Sequence, residues 1–453
     1  MIRLRPDDDY FLCLHSDTTP MQIGALLLFD VPDVDRPRFA DSVLQHLAHR
    51  IPATALARLR RSAPWYLDND AWFSRAHVDL TDLVTVHASE GPLARIELER
   101  LVATWVMQQL DPDQPPFRMV IVPEVTEGGS AIFFTILHAL TDGVGFQSIV
   151  ESLTDITAIS ERRAPTVRRD ERIPSRPEWL VRSSVALARD GWERRRRAPD
   201  RRRAEEALEA FKSDPAHRRA KTPKFELSAP TSSRRSFTAM SLPLERFRSV
   251  AHSLDGTVND VFLAVTGGAL RSFLLSIDSL PDTPIVVNAA RSYRRPEHGM
   301  LGNRIVSLHP HLATTIADPR QRFTAIQRSM DSEMERSRLQ EPLMDQGARP
   351  FGARKLRRQM SSRVESGGAV LPGNVTLSNV PGPQEVRYLA GFPMTASYPT
   401  PILGAGRFLN ITLRRYRDQL DLGIMTDAAK IPDASLIAEH LRAALDELTQ
   451  LAS

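Results

Sequence analysis

One cysteine, Cys13, stands in 453 residues, which rules out an intramolecular disulfide and any cluster of thiolate metal ligands and fits a reducing compartment such as the cytoplasm. Its neighbours Leu12 and Leu14 bring no cation to lower the thiol pKa, so Cys13 reads as a small buried apolar residue and not as a nucleophile. Long hydrophobic runs are also missing. The longest, near Ile23 to Phe29, falls far short of the roughly 20 residues that cross a bilayer, and the charged start Met1 to Asp9 has no apolar core of a secretory signal. The expectation is a cytoplasmic chain whose membrane contact, if it has one, is peripheral.

What is present suits a globular protein, with 42% hydrophobic and 25% charged residues. The length exceeds one ordinary core and calls for two domains. Strand-like runs (Ile23 to Phe29, Met119 to Pro123, Ser130 to Leu137) alternate with helical ones (Arg38 to His49, Leu93 to Leu110) as far as Ile156. The same α/β character returns after Phe225, with strands over Arg235 to Leu242, Ile285 to Asn288 and Arg304 to His309, and helices over Pro243 to Leu254 and Val258 to Leu275. The reading is two similar domains, residues 1–173 and 225–453, joined by a segment at 174–224.

That joining segment carries the charge. Between Glu161 and Lys224 there are 20 Lys and Arg against 11 Asp and Glu, so a net charge of +4 conceals a basic middle and an acidic remainder. From Pro177 to Trp192 the apolar residues Leu180, Val181, Val185, Leu187, Ala188 and Trp192 share one side at helical spacing, and arginines follow at 194 to 197 and 201 to 203. Such a basic amphipathic helix either docks on an anionic membrane or lipid-droplet surface or serves as a solvated crossover with its apolar side against the protein. Aromatic interleaving and a recognisable motif for nucleic acid are both lacking, so no nucleic-acid partner is expected.

The chemistry concentrates at His138-Ala-Leu-Thr-Asp-Gly143, directly after the apolar run Ser130 to Leu137. Phe133, Phe134 and Ile136 favour a buried strand over a buried helix, and Gly143 and Gly145 allow a tight turn into a helix from about Phe146 to Ile156. A histidine at the end of such a strand is either a satisfied structural residue or a base presented to a cleft, its unperturbed pKa lying near physiological pH. His309 and His311 alternate without a third zinc ligand, and His46 and His49 share a helix face as packing or surface residues.

Further motifs decide the matter by their order: Asp9 to Gly24, Leu110 to Arg118, Thr257-Val-Asn-Asp260, Leu301-Gly-Asn-Arg304, Ser378-Asn-Val-Pro-Gly-Pro383, Leu409 to Leu413 and Leu420 to Gly423. With His138 to Gly143 they resemble the bacterial wax ester synthase/diacylglycerol acyltransferase family over nearly the whole chain. The resemblance implies two chloramphenicol acetyltransferase-like α/β domains flanking a central tunnel. It implies transfer of a long acyl chain from acyl-coenzyme A (acyl-CoA), a co-substrate, to diacylglycerol or a fatty alcohol, with no metal or redox cofactor. His138 matches the family's general base. Asp142, in the same catalytic motif, is implied to hold the loop through a charged partner, with Gly143 beside it. Asn259 and Asp260 match a motif that supports the site, or else cap a helix. Ser378 and Asn379 either donate to a thioester oxygen or form a turn. Leu137 stands where the family has a first histidine, and Pro115-Pro116-Phe117 where it has Pro-Leu-Trp. The alternatives are the same fold acting on another hydroxyl, or a lipid-binding relative without activity.

Overall fold

The computed structural model describes residues 1–64, 69–126, 129–159, 169–344, 362 and 372–452. In chain order, β1 (Ile2–Arg3), α1 (Pro6–Leu14), β2 (Gln22–Phe29) and α2 (Arg36–Arg50) come first, followed by β3 (Arg58–Arg61), β4 (Ala71–Ser74) and β5 (Val84–Val86). Then come α3 (Arg95–Trp105), β6 (Phe117–Val122), β7 (Ser130–Leu137) and α4 (Gly143–Leu153). Two helices, α5 (Arg176–Arg196) and α6 (Ala198–Ser213), cross to the second half. There β8 (Arg235–Pro243), α7 (Leu244–Ser253), α8 (Val258–Ser276), β9 (Val287–Ser292), β10 (Ile305–Leu308) and α9 (Pro319–Met344) are followed by β11 (Val375–Val380), β12 (Tyr388–Leu389), β13 (Phe392–Thr400), β14 (Leu409–Tyr416), β15 (Gln419–Asp427) and α10 (Ser435–Ala452).

Each half is built on a six-stranded sheet, ordered β12-β13-β2-β7-β6-β5 in the first and β10-β9-β11-β14-β15-β8 in the second. The run Ser130 to Leu137 is a strand, as its aromatics suggest, and is buried along its whole length. Ile132, Phe134 and Ile136 pack into one apolar cluster and Ala131 and Phe133 into another, so the sheet is covered on both faces. Two-sided burial is why the sequence shows a continuous apolar run and no alternation. It also fixes the end of β7, and with it the place of His138.

The division at residue 225 does not follow the sheets. Strands β12 and β13 come from the second half of the chain yet complete the sheet of the first, β13 pairing with β2 from Met394↔Phe29 to Thr400↔Gly24. An alternating strand can pair with either sheet, so its pattern does not say which. The two sheets meet there: the Ser397 N–H donates to Asp421 Oδ2 at 2.7 Å and the buried Arg414 donates to Ser397 Oγ at 2.8 Å. At Gly423 any side chain would overlap the Pro399 carbonyl, so glycine lets β15 approach β13.

Three sequence expectations change. The longest apolar stretch is not Ile23 to Phe29: α8 is by length and composition capable of spanning a membrane, but most of it is buried in the second half's core against α7, α9 and α10. The face of α5 turned to the protein carries Trp179, Ser183 and Leu187, while Val181, Val185 and Trp192 are exposed at 65%, 65% and 60%. Trp179 packs against Phe73, with ring centroids 5.6 Å apart and planes inclined by 58°, and this large side chain sets the rotation of the helix. Finally, α4 starts at Gly143 and ends at Leu153, because Asp142 is its N-cap, accepting the Gly145 N–H at 3.0 Å.

Candidate active site

A cavity of about 530 Å³ lies between the halves, and His138 lines it together with α1, β2, β9, β11, β13 and β14. Phe11, Leu14, Met21, Ile23, Phe146 and Leu377 make the wall largely apolar, with Asn288, Ser378, Asn410 and Thr412 as polar points.

Phe11 stacks on the His138 ring, with centroids 3.8 Å apart and planes inclined by 6°. Nδ1 of His138 is buried and meets no hydrogen-bond partner among the described residues. Burial pulls the imidazole below its ordinary pKa of 6.5, and the nearby Asp142 carboxylate opposes it. The ring is therefore neutral at physiological pH, with one of its nitrogens unprotonated.

The loop after β7 is clamped from the other half. Asp142 receives Arg294 Nη2 at 2.8 Å, the Arg304 N–H at 2.9 Å and its own helix's Gly145 N–H. Arg294 also donates to Thr141 Oγ1 at 3.3 Å and to the Gly302 carbonyl, and the Gly302 N–H donates to the Leu140 carbonyl at 2.8 Å. The backbone of His138 has its own holders. Its N–H donates to the Met21 carbonyl at 3.0 Å, and its carbonyl accepts Asn303 Nδ2 at 2.8 Å. Asn303 in turn donates its N–H and Nδ2 to Asp8 at 2.7 and 2.9 Å. Burial pushes the Asp8 carboxyl up to about 6, against those hydrogen bonds and the charge of Arg5.

Of the residues expected from sequence, His138, Gly143 and Ser378 line the cavity. Asp142 lies behind the histidine, in the charged partnership that the resemblance implies. Gly145, not Gly143, is the position that tolerates no side chain: a Cβ there would overlap Thr141 Oγ1 and the Met300 carbonyl, whereas at Gly143 it would touch Val380 Cγ2 at 3.0 Å. Asp260 is the third helical residue of α8 and exchanges hydrogen bonds with the N-cap Thr257, accepting from Thr257 N–H at 2.9 Å and donating its own N–H to Thr257 Oγ1 at 3.2 Å. The cap is thus Thr257, with Asp260 its partner. Asn259 and Asn379 come together, the Asn379 amide donating to Asn259 Oδ1 at 3.4 Å, but neither lines the cavity. Ser378 and Asn379 do not form a turn; both pair within β11, opposite Thr412 and Leu413.

Residues 4–262 match the wax ester synthase/diacylglycerol acyltransferase catalytic domain and residues 301–449 match the C-terminal domain of the same family. The chain belongs to the wax ester synthase/diacylglycerol acyltransferase family. It is an acyltransferase. The O-acyltransferase WSD of Acinetobacter baylyi is 30% identical to it over 97% of this chain and 95% of that protein. Among solved structures, a wax ester synthase/diacylglycerol acyltransferase from Marinobacter aquaeolei VT8 matches 100% of both chains with a TM-score of 0.70 at 24% identity. The starter condensation domain of rhizomide synthetase, solved in complex with C8-CoA, shares the fold with a TM-score of 0.58 at 14% identity, covering 100% of this chain and 94% of that one.

In this acyltransferase, Leu137 is buried in the first half's apolar cluster and contributes nothing to the cavity wall. Phe117 is equally buried, and the Pro116 carbonyl accepts the Leu137 N–H at 3.0 Å, so the two departures from the family pattern meet at the base of the histidine loop. Sequence reasoning had no role for Phe11, Asp8, Arg294 or Asn303, although the segments holding Phe11 and Asn303 were among the motifs. Arg407 was missed as well: it lines the cavity, and burial lowers its guanidinium to about 10. None of these has a local signal, because each acts on a residue far away in the chain.

Proposed function

We propose that this acyltransferase moves the acyl group of a long-chain acyl-CoA to the hydroxyl of a diacylglycerol or a fatty alcohol, with His138 as general base. The observation that carries this reading is a neutral, cavity-lining imidazole held from both halves inside a mostly apolar wall. A hydroxyl attacks a thioester only as its proton is taken, which the ring does when the acceptor lies within hydrogen-bond reach. The apolar wall receives the acyl chain and the lipid acceptor. Ser378 donates to the oxygen of the tetrahedral intermediate, and the thiolate leaves with the proton held by His138. That sequence of steps needs no metal or redox cofactor. Asp142 positions the loop through Arg294 and touches no reacting atom.

The deciding experiment is release of free coenzyme A from palmitoyl-CoA with diacylglycerol, hexadecanol or no acceptor. Acceptor-dependent release is expected, falling by about 10²- to 10⁴-fold in His138→Ala, with an acid limb of the wild-type pH profile below 6.5. A variant that keeps most of its activity sinks the role of the histidine. Release with neither lipid moves the acceptor to another hydroxyl or the chain to a lipid-binding relative.

Peripheral contact with an anionic lipid surface goes with this reading, supported by the exposed Val181, Val185 and Trp192 among the arginines of α5. Trp192→Ser is expected to reduce co-sedimentation with phosphatidylglycerol vesicles; unchanged sedimentation removes α5 from the contact.

A further inference from the structure

A second cavity, of about 550 Å³, lies where the crossover meets the loop after β9 and the end of α9. Its wall carries Arg194 of α5, Arg197 at the joint of the two crossover helices, Arg201 of α6, Arg295 and His298 after β9, and Arg338 of α9. Four carboxylates share the lining, and each is engaged by an arginine outside it: Asp190 by Arg3 at 3.3 Å, Glu193 by Arg189 at 3.0 Å, Asp200 by Arg203 at 3.8 Å and Glu341 by Arg291 at 2.6 Å. Glu341 also receives Arg295 at 3.3 Å, while Arg201 and Arg338 pair with Glu205 and Glu335 on their own helices. Five arginines therefore stand beside four carboxylates in the lining, and each of those carboxylates is already engaged by an arginine outside it. Guanidinium forks converging from four elements suit phosphate groups, which they bind bidentately.

This cavity adjoins the histidine site on three walls. Asn288, Ala289 and Ala290 of β9 line the histidine cavity and Tyr293 lines the second, three strand residues or about 10 Å further on. On α9, Met344 faces the first cavity while Glu341 and Pro342 face the second. Ahead of α1, Arg5 donates to the Tyr293 hydroxyl at 3.1 Å, and Asp7 and Tyr10 of α1 line the histidine cavity.

We propose that the arginine-lined cavity holds the phosphates at the nucleotide end of acyl-CoA, whose pantetheine arm carries the thioester along β9 to His138. This rests on acyl-CoA being the donor, as proposed above, so the test is split. Titration calorimetry with 3′,5′-ADP reads the cavity without turnover: wild type and His138→Ala bind alike, and Arg194→Ala/Arg197→Ala binds at least about tenfold more weakly. Arg338→Ala, on the α9 wall, weakens binding independently, and Arg195→Ala, an exposed neighbour outside the lining, does not. In steady state the double variant raises the KM for palmitoyl-CoA and leaves that for palmitoyl-pantetheine, which has no nucleotide, unchanged. Equal losses on both thioesters, or an unchanged affinity for 3′,5′-ADP, overturn the assignment. Loss of binding to phosphatidylglycerol vesicles with 3′,5′-ADP affinity intact also overturns it, and assigns the arginines to a lipid headgroup. A wild type that binds 3′,5′-ADP through these arginines but releases no coenzyme A refutes the proposed reaction and leaves the phosphate site standing.

Discussion

Arg294 and Arg201 each reach a carboxylate in this enzyme, at 2.8 Å to Asp142 and 2.7 Å to Glu205, yet the two regions they represent are built on different principles. The first pair is 7% and 3% exposed and ties the second half of the chain to the loop that carries His138; the second is 42% and 48% exposed and lies within one turn-and-a-bit of the crossover helix α6. Removing one partner of a buried pair leaves a charge that neither water nor protein solvates, whereas an exposed partner is rehydrated at once. The arginine-rich crossover carries the chain's excess of positive charge, but the few arginines inside hold the site together.

The sharpest way to break this contrast is Arg294→Ala. It strands the Asp142 carboxylate and is expected to lower stability in urea by about 3 to 5 kcal/mol, with loss of transfer activity following the loop. Asp142→Asn combined with Arg294→Gln removes both charges and is expected to recover part of that loss. If Arg294→Ala unfolds like wild type, the clamp is ornamental.

Asp8 supplies a pH-dependent version of the same test. Its carboxyl is raised to about 6 in the folded state from an ordinary 3.8. Between those values, as pH rises, the unfolded chain gives up the proton and the folded chain keeps it, so stability falls; below about 3.8 both hold it, and above about 6 the cost is constant. Relative to Asp8→Asn, wild type should therefore lose up to about 3 kcal/mol between pH 4 and 6, measured as the difference in unfolding free energy at each pH. A flat difference shows that Asp8 ionises normally and that its burial costs nothing.

The smallest effect belongs to the surface. Arg201→Ala is expected to change stability by less than about 0.5 kcal/mol, and a double-mutant cycle with Glu205→Ala to give a coupling of the same small size. A coupling comparable to that of Arg294 with Asp142 would erase the distinction between the two regions.

Legibility in the sequence followed locality. The strand Ser130–Leu137 was readable to the residue because a doubly covered strand is apolar over most of its length, and α8 was readable within one residue because a long apolar run follows its capping residues. The start of α4 was misplaced by three residues because the helix begins with the glycines that looked like a turn, its N-cap being Asp142. The rotation of α5 was left open by its apolar stripe, which suits lipid or protein equally, and only the contact of Trp179 with Phe73 reveals which side meets the protein.

By itself the sequence determined the α/β class, the repetition of that character in two halves, the histidine at the end of a buried strand and the family, since all of these are written in local pattern and in the order of motifs. Only the tertiary structure decided that β13 belongs to the sheet of the first half, that Phe11 covers the imidazole, that Asn303 and Asp8 hold its backbone, and that Arg294 is the partner of Asp142. Those contacts join residues separated by more than a hundred positions, and a strand, an aromatic ring or an arginine can satisfy many partners equally well. Which one it meets is set by how the two halves close on each other, and no local pattern records that.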